Sequence, residues 1–210
     1  MMQPLGELLG ELERCDRARE LDGLKAVRER ILAAHPDSEA ASEALYKLGL
    51  DALFRARDLE RAVLIFEQAA GRKHAFWSAA ARTSLGLCYF HLHRSQKALF
   101  ELRKVAYAKT PSVHSVTALA FIENIFATQG NGDEATRVRK ERITQLEQLI
   151  VRSREARSEP SERGHFLYQL AMALRDHNEL ERAKVSLEEA RALGPEGLGT
   201  DLFRAVVDAL

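Results

Sequence analysis

Leu24, Ala62, Ala98, Ala135 and Ala183 each open an apolar helical pattern just after a polar turn, and they are separated by 38, 36, 37 and 48 residues. This recurrence constrains the fold more than any other feature. A unit of that length holds two helices and cannot bury its apolar face alone, so each unit must stack on its neighbours. Around these positions apolar residues return every three or four residues, and strand-like alternation is absent. Polar breaks punctuate the pattern at His35-Pro36-Asp37-Ser38, Arg57-Asp58, His93-Arg94-Ser95, Thr110-Pro111-Ser112, Gly130-Asn131-Gly132-Asp133 and Gly194-Pro195. The chain reads as all-α, built from short antiparallel helix pairs.

Aligning the pairs supplies the register. In residues 79–111, Leu85-Gly86 is followed by Tyr89, Ala98, Leu102, Val105 and Pro111; in 164–195, Leu170-Ala171 is followed by Leu174, Ala183, Leu187, Ala190 and Pro195. In 42–74, Leu48-Gly49 leads to Ala52, Ala62, Phe66 and Ala69, with one extra residue between Gly49 and Ala62. A small residue on each helix lets the two backbones of a pair approach, and the large residues Tyr89, Phe66 and Leu187 are expected to fill the space between consecutive pairs. This pattern resembles the tetratricopeptide repeat, with its Leu-Gly pair and aromatic on the first helix, Ala-x3-Phe step on the second, and closing Pro. The long period and the His-Pro-Asp-Ser turn also resemble repeats of bacterial envelope-assembly proteins.

The resemblance implies an α-solenoid of stacked pairs: a degenerate first pair at 1–36, then repeats at about 42–75, 79–112, 116–149 and 164–197. The third repeat departs most. Glu123 stands where Gly or Ala is expected, and Arg139 and Arg142 stand where apolar residues belong. Residues 150–163 form a polar insertion in which Arg152–Ser161 reads as a mobile stretch, although Ile143, Leu146 and Ile150 prolong the preceding helix. Residues 200–210 form a capping helix whose stripe is Leu202, Phe203, Val206, Val207 and Leu210.

Composition narrows the function classes. Lys+Arg and Asp+Glu are 31 each, so no whole-chain charge favours nucleic acid. The charge is uneven, however: residues 72–109 hold eight Lys/Arg against the single Glu101, while 1–71 and 176–210 are each net −4. The basic middle reads as solvated helix faces or, more sharply, as a site for an acidic partner. Its basic and aromatic residues, among them Phe76 and Trp77, would also suit RNA or an anionic surface, against which both acidic flanks count. No run approaches the ~18 apolar residues of a membrane span, and the leucines of the N-terminal stretch alternate with Glu7, Glu11 and Glu13, so a cytoplasmic location is expected. Cys15 and Cys88 form no disulfide framework.

No catalytic or metal constellation emerges. Cys88, His91 and His93 lack a fourth ligand for a closed zinc site, and Cys88 beside Gly86 fits a small buried hydrophobe. Phosphate loops, nucleophile elbows and His-Glu-x-x-His are missing, so no cofactor and no enzymatic activity are expected.

In the resembled family the first helix of each pair lines a concave surface. The inward positions here are Tyr46, Leu50 and Phe54, then Leu87, Phe90 and His91, then Phe121 and Asn124, and finally Tyr168 and Met172. They make an apolar patch suited to a partner peptide or helix. They lack the Lys, Arg and Asn set with which the family grips a C-terminal carboxylate. The expected function is a non-enzymatic adaptor for another protein. The alternatives are a chaperone or envelope or secretion assembly factor holding a client segment, and a catalytic or nucleic-acid role within the insertion.

Overall fold

The computed structural model describes residues 3–209, so Leu210, the last member of the terminal stripe, lies outside the described residues. The described residues form helices and turns without a strand, in two compact units that divide after Val105.

The first unit comprises α1 (Leu5–Arg17), α2 (Leu21–Ala34), α3 (Glu39–Leu50), a π-helical turn (Asp51–Arg55), α4 (Leu59–Ala70), α5 (Ala75–His91) and α6 (Ser95–Ala106), the division falling in the last turn of α6. Each of α1 to α4 packs on the next, and α4 packs on α5. The second unit holds α7 (Val113–Thr128), α8 (Gly132–Glu155), α9 (Pro160–Asp176), α10 (Leu180–Ala192), α11 (Gly194–Leu198) and α12 (Thr200–Ala209). There α7 packs on α8, α8 on α9 and α9 on α10. The fold class is all-α, of antiparallel helix pairs of the α-solenoid type within each unit.

The turn inside each pair follows one rule. Arg19, Arg57, His93, Gly130 and Asn178 all adopt left-handed backbone angles, with φ of 55°, 54°, 57°, 75° and 63°. Each precedes the recurrent position of its second helix by five residues. The next residue then donates its N–H backwards over five residues: Glu20 to Cys15, Arg94 to Tyr89, Asn131 to Phe126 and Glu179 to Leu174, at 2.8–2.9 Å. These bonds satisfy carbonyls that the first helix would otherwise leave unpaired at its C-terminus.

The second pair departs by one residue. Asp58 donates to Ala52, six residues back, and the N–H of Ala56 reaches Asp51 in a π-type bond. The extra residue between Gly49 and Ala62 is therefore absorbed as a π turn at the end of α3, and both flanking helices keep their register. Side-chain caps fix the helix starts beside it: Ser38 Oγ accepts from the Ala41 N–H at 3.1 Å, and Asp58 Oδ1 from the Arg61 N–H at 3.0 Å.

In the 42–75 and 79–112 repeats a large residue of the second helix packs on the small residue of its own pair, rather than only between consecutive pairs as expected. A Cβ on Gly49 would lie 2.5 Å from the Phe66 ring, and one on Gly86 would lie 2.5 Å from Leu102. Phe66 and Leu102 are both fully buried, each stabilising its pair by roughly 1.5–3 kcal/mol. In the third pair the same two positions carry opposite charges. Arg139 Nε donates to Glu123 Oε1 at 2.7 Å, Arg142 lies 3.1 Å from Glu123 Oε2, and Arg139 also donates to the Asp176 carbonyl at 2.6 Å. Only 10% of the Glu123 side chain is exposed.

The polar insertion is largely helical. α8 runs for 24 residues, twice the length of α4 or α6, and reaches Glu155. Leu146, Leu149, Ile150 and Ser153 repeat at helical spacing and are buried, so the stretch expected to be mobile begins as packed helix. Arg152 donates to the Pro111 carbonyl at 2.8 Å, and Arg154 donates to Glu189 at 2.5 Å.

The C-terminal end contains one unforeseen element. α11 places Leu198 over Gly164 of α9, so closely that no Cβ fits there. Beyond Gly199, at φ 78°, α12 packs on α10 and α11. Val206 is fully buried and Leu202 and Phe203 are partly so, whereas Val207 is exposed. The terminal stripe is thus narrower than the sequence pattern suggests.

Candidate functional site

The predicted inward residues fall on α3, the π turn and α5 in the first unit, and on α7 and α9 in the second. Leu50, Leu87, Asn124 and Met172 share one register position, directly after the small residue or its replacement. Tyr46 and Tyr168 share another, three residues before it.

In the first unit α3 and α5 touch. Tyr46 lies 5.9 Å from Phe66 and 5.7 Å from Trp77 between ring centroids, and Trp77 meets Phe76 edge-on at 5.0 Å. Tyr46 therefore commits much of its ring to the packing of α3 on α4 and α5. Trp77 contacts Tyr46 directly and so belongs to the same packing. Leu50, Leu87 and Phe90 are half-buried, and the His91 ring stands exposed 5.9 Å from that of Phe90. Phe54 lies in the π turn with 64% of its surface exposed. Once the extra residue is allowed for, it matches Phe90 in register.

In the second unit Phe121 is half-buried and Asn124 is exposed, both on α7. Tyr168 and Met172 of α9 lie partly buried against a core that includes Phe166, Leu167, Leu170 and Leu187. Each unit thus offers its own half-exposed apolar residues on first helices, accessible yet held in place by packing below them.

A cavity of about 430 Å³ that sequence reading did not locate opens in the first unit. Asp22, Lys25 and Glu29 of α2, Asp51 and Arg55 of the π turn, and Arg61 of α4 ring a floor of Leu48, Ala52 and Ile65. Asp51 takes a 3.0 Å hydrogen bond from Arg28 and lies 3.5 Å from Arg55. The extra residue in the repeat was the one signal that pointed here.

No reactive group converges on these surfaces. Cys88 is buried, and burial pushes its thiol up to about 11, so it stays protonated and unreactive near neutrality. Cys88 is sealed inside, His91 faces outward and His93 sits in the turn, so the three do not meet. Among the described residues no three His, Cys, Asp or Glu side chains are grouped to hold a metal ion. The Glu123–Arg139–Arg142 cluster is buried between helices, and desolvation holds the Arg142 guanidinium below its ordinary range. Among the described residues no helix is long and apolar enough to cross a membrane.

No protein-family model and no curated protein sequence matches the chain. Among solved structures, a crystal structure of PilW, a widely conserved type IV pilus biogenesis factor, is similar in fold. It superposes with a TM-score of 0.52 and 15% identity, over 95% of this chain and 81% of that one. A tetratricopeptide repeat protein from Parabacteroides merdae aligns over 97% of both chains at 14% identity, but its TM-score of 0.28 is too low to bear on the fold.

Proposed function

We propose that this chain, whose fold is that of the tetratricopeptide repeat, is a non-enzymatic adaptor that binds a segment of another protein. Each unit offers its own first-helix surface for such a segment: Tyr46, Leu50, Phe54, Leu87, Phe90 and His91 in the first, and Phe121, Asn124, Tyr168 and Met172 in the second. One observation carries this reading. Half-exposed Leu50, Leu87 and Met172 share one register position on three first helices, Phe54 and Phe90 share another, and the fourth first helix adds Phe121 at a position of its own, all where packing does not require them to face water. Such side chains anchor an apolar helix or extended segment, and the packing beneath them reduces the entropy lost on binding.

The test begins with affinity capture of the partner and continues with its titration against variants. Phe90→Ala and Phe121→Ala should each weaken binding by ~2 kcal/mol, roughly 30-fold, if they are central anchors. Normal binding by both variants would remove the first-helix surfaces from the reading.

The likeness in fold to a pilus biogenesis factor supports a second reading, an envelope or secretion assembly factor that holds a client polypeptide. A cytoplasmic adaptor and an envelope factor separate on cell fractionation. One stoichiometric partner in the cytoplasmic fraction favours the first, and several unfolded clients in the envelope fraction favour the second.

A further inference from the structure

The second helices carry an outward-facing feature that the adaptor reading leaves unused. Two positions after the recurrent residue, α4 has Leu64, α6 has Phe100 and α10 has Val185, exposed by 60%, 61% and 63%. Large apolar groups at one register position, each turned to solvent, are not explained by packing within a pair. Of these sites only that on α6 is also strongly basic.

On α6, Gln96, Phe100, Arg103 and Lys104 form one helical stripe, with Leu99 at its base and a cavity of about 470 Å³ along it. The Lys104 ammonium sits 3.8 Å from the centre of the Phe100 ring, a cation–π contact that keeps the ring spread on the surface. Glu101, the single carboxylate of residues 72–109, is already paired with Arg82 at 2.5 Å and Lys104 at 2.8 Å. Among the described residues Arg103 has no ion-pair partner, and Lys97 faces only the Tyr89 ring at 5.5 Å. The stripe therefore presents an aromatic anchor beside two cations that no carboxylate among the described residues neutralises.

We infer that the outer face of α6 is a second docking surface, and that its occupant is an acidic protein segment bearing an apolar residue between Asp or Glu side chains. The apolar residue rests on Phe100 and Leu99, and the carboxylates meet Arg103 and Lys97. Charge complementarity selects this occupant: the +7 segment lacks free anions of its own. The surface is distinct from the first-helix residues of the adaptor reading, so each survives loss of the other.

A random dodecapeptide display library panned on the intact chain tests the inference. The enriched peptides should be net negative with a central Phe, Leu or Trp. A synthetic peptide from that set should bind at least tenfold more weakly to Phe100→Ala and to the Lys97→Glu/Arg103→Glu double variant, and as well to Phe90→Ala as to the unaltered chain. Raising the salt to 1 M should weaken the unaltered chain and leave the charge-reversed variant little changed. Circular dichroism of each variant confirms that helix content is kept, as exposed positions on α6 require. Enriched peptides without acidic bias, or binding indifferent to Phe100, would overturn the proposal. So would binding of vesicles of phosphatidylglycerol or of an RNA oligonucleotide that is lost in the same variants while the peptide does not bind.

Discussion

Leu102 occupies the space where a side chain on residue 86 would stand, and that single steric fact makes Gly86 a sensitive residue. Gly86→Val forces overpacking of about 1–3 kcal/mol, each kcal/mol lowering the melting temperature by roughly 2–4 °C in a chain of this size. Gly132 has open space around it, so Gly132→Val should lower the melting temperature several-fold less. Equal losses in thermal melts would contradict the register. The third pair answers the same packing problem with charge. Glu123→Ala leaves Arg139 and Arg142 without their carboxylate and should destabilise the chain by ~3–5 kcal/mol in denaturant unfolding. Replacing all three together, as Glu123→Ala with Arg139→Leu and Arg142→Leu, reproduces the small-against-large arrangement of the neighbouring repeats and should restore most of that loss. A triple variant no more stable than Glu123→Ala would show that the pair does not tolerate an apolar interface.

The π turn makes a prediction of its own at the level of the element. Removing Arg55 returns the spacing from Gly49 to the second-helix alanine to that of the other repeats, so α3 can continue as regular helix. Thermal melts should show the shortened chain folded with nearly unchanged stability. Removing Leu87 from within α5 instead rotates the later side chains of that helix, Cys88 and Tyr89 among them, by about 100° and should cost far more stability. If both deletions behave alike, the π turn is not the seat of the inserted residue. Helix pairs, most turns and the close-approach positions were legible because local spacing dictates them: polar breaks between apolar periods, and small residues where helices meet. The left-handed angles of Arg19, His93 and Asn178 were not, since none of these is a glycine, nor was the packing of Phe66 on Gly49 within one pair. The surplus residue was legible as a count, but its absorption into a π turn depends on the competing hydrogen bonds of Ala56 and Asp58. Nor could local pattern reveal α11, since the burial of Leu198 is set by Gly164, more than thirty residues away. Candidate inward residues could be assigned from register alone. Their exposure could not, because Tyr46 turns its ring to Phe66 and Trp77 whereas Phe54 turns outward.

Across the molecule, an array of pairs must end as well as repeat, and α12 ends the second unit. Deleting residues 200–210 uncovers the apolar groups that Leu202, Phe203 and Val206 cover. The shortened chain should melt lower and self-associate, as sedimentation velocity would reveal; an unchanged monomer would deny α12 that role. The charged interface of the third pair has a further consequence, for the order in which such a chain assembles. Repeats built on one plan carry an inherent hazard during synthesis, since the first helix of one can dock on the second helix of another. Glu123 closes that route for α7: against α4, α6 or α10 it would face Phe66, Leu102 or Leu187, an unpaired anion pressed onto hydrocarbon. Only α8 offers two guanidinium groups at that height. A helix that accepts α8 and refuses α4, α6 and α10 acts as a key among the pairs, and it narrows the pairing of its neighbours by elimination.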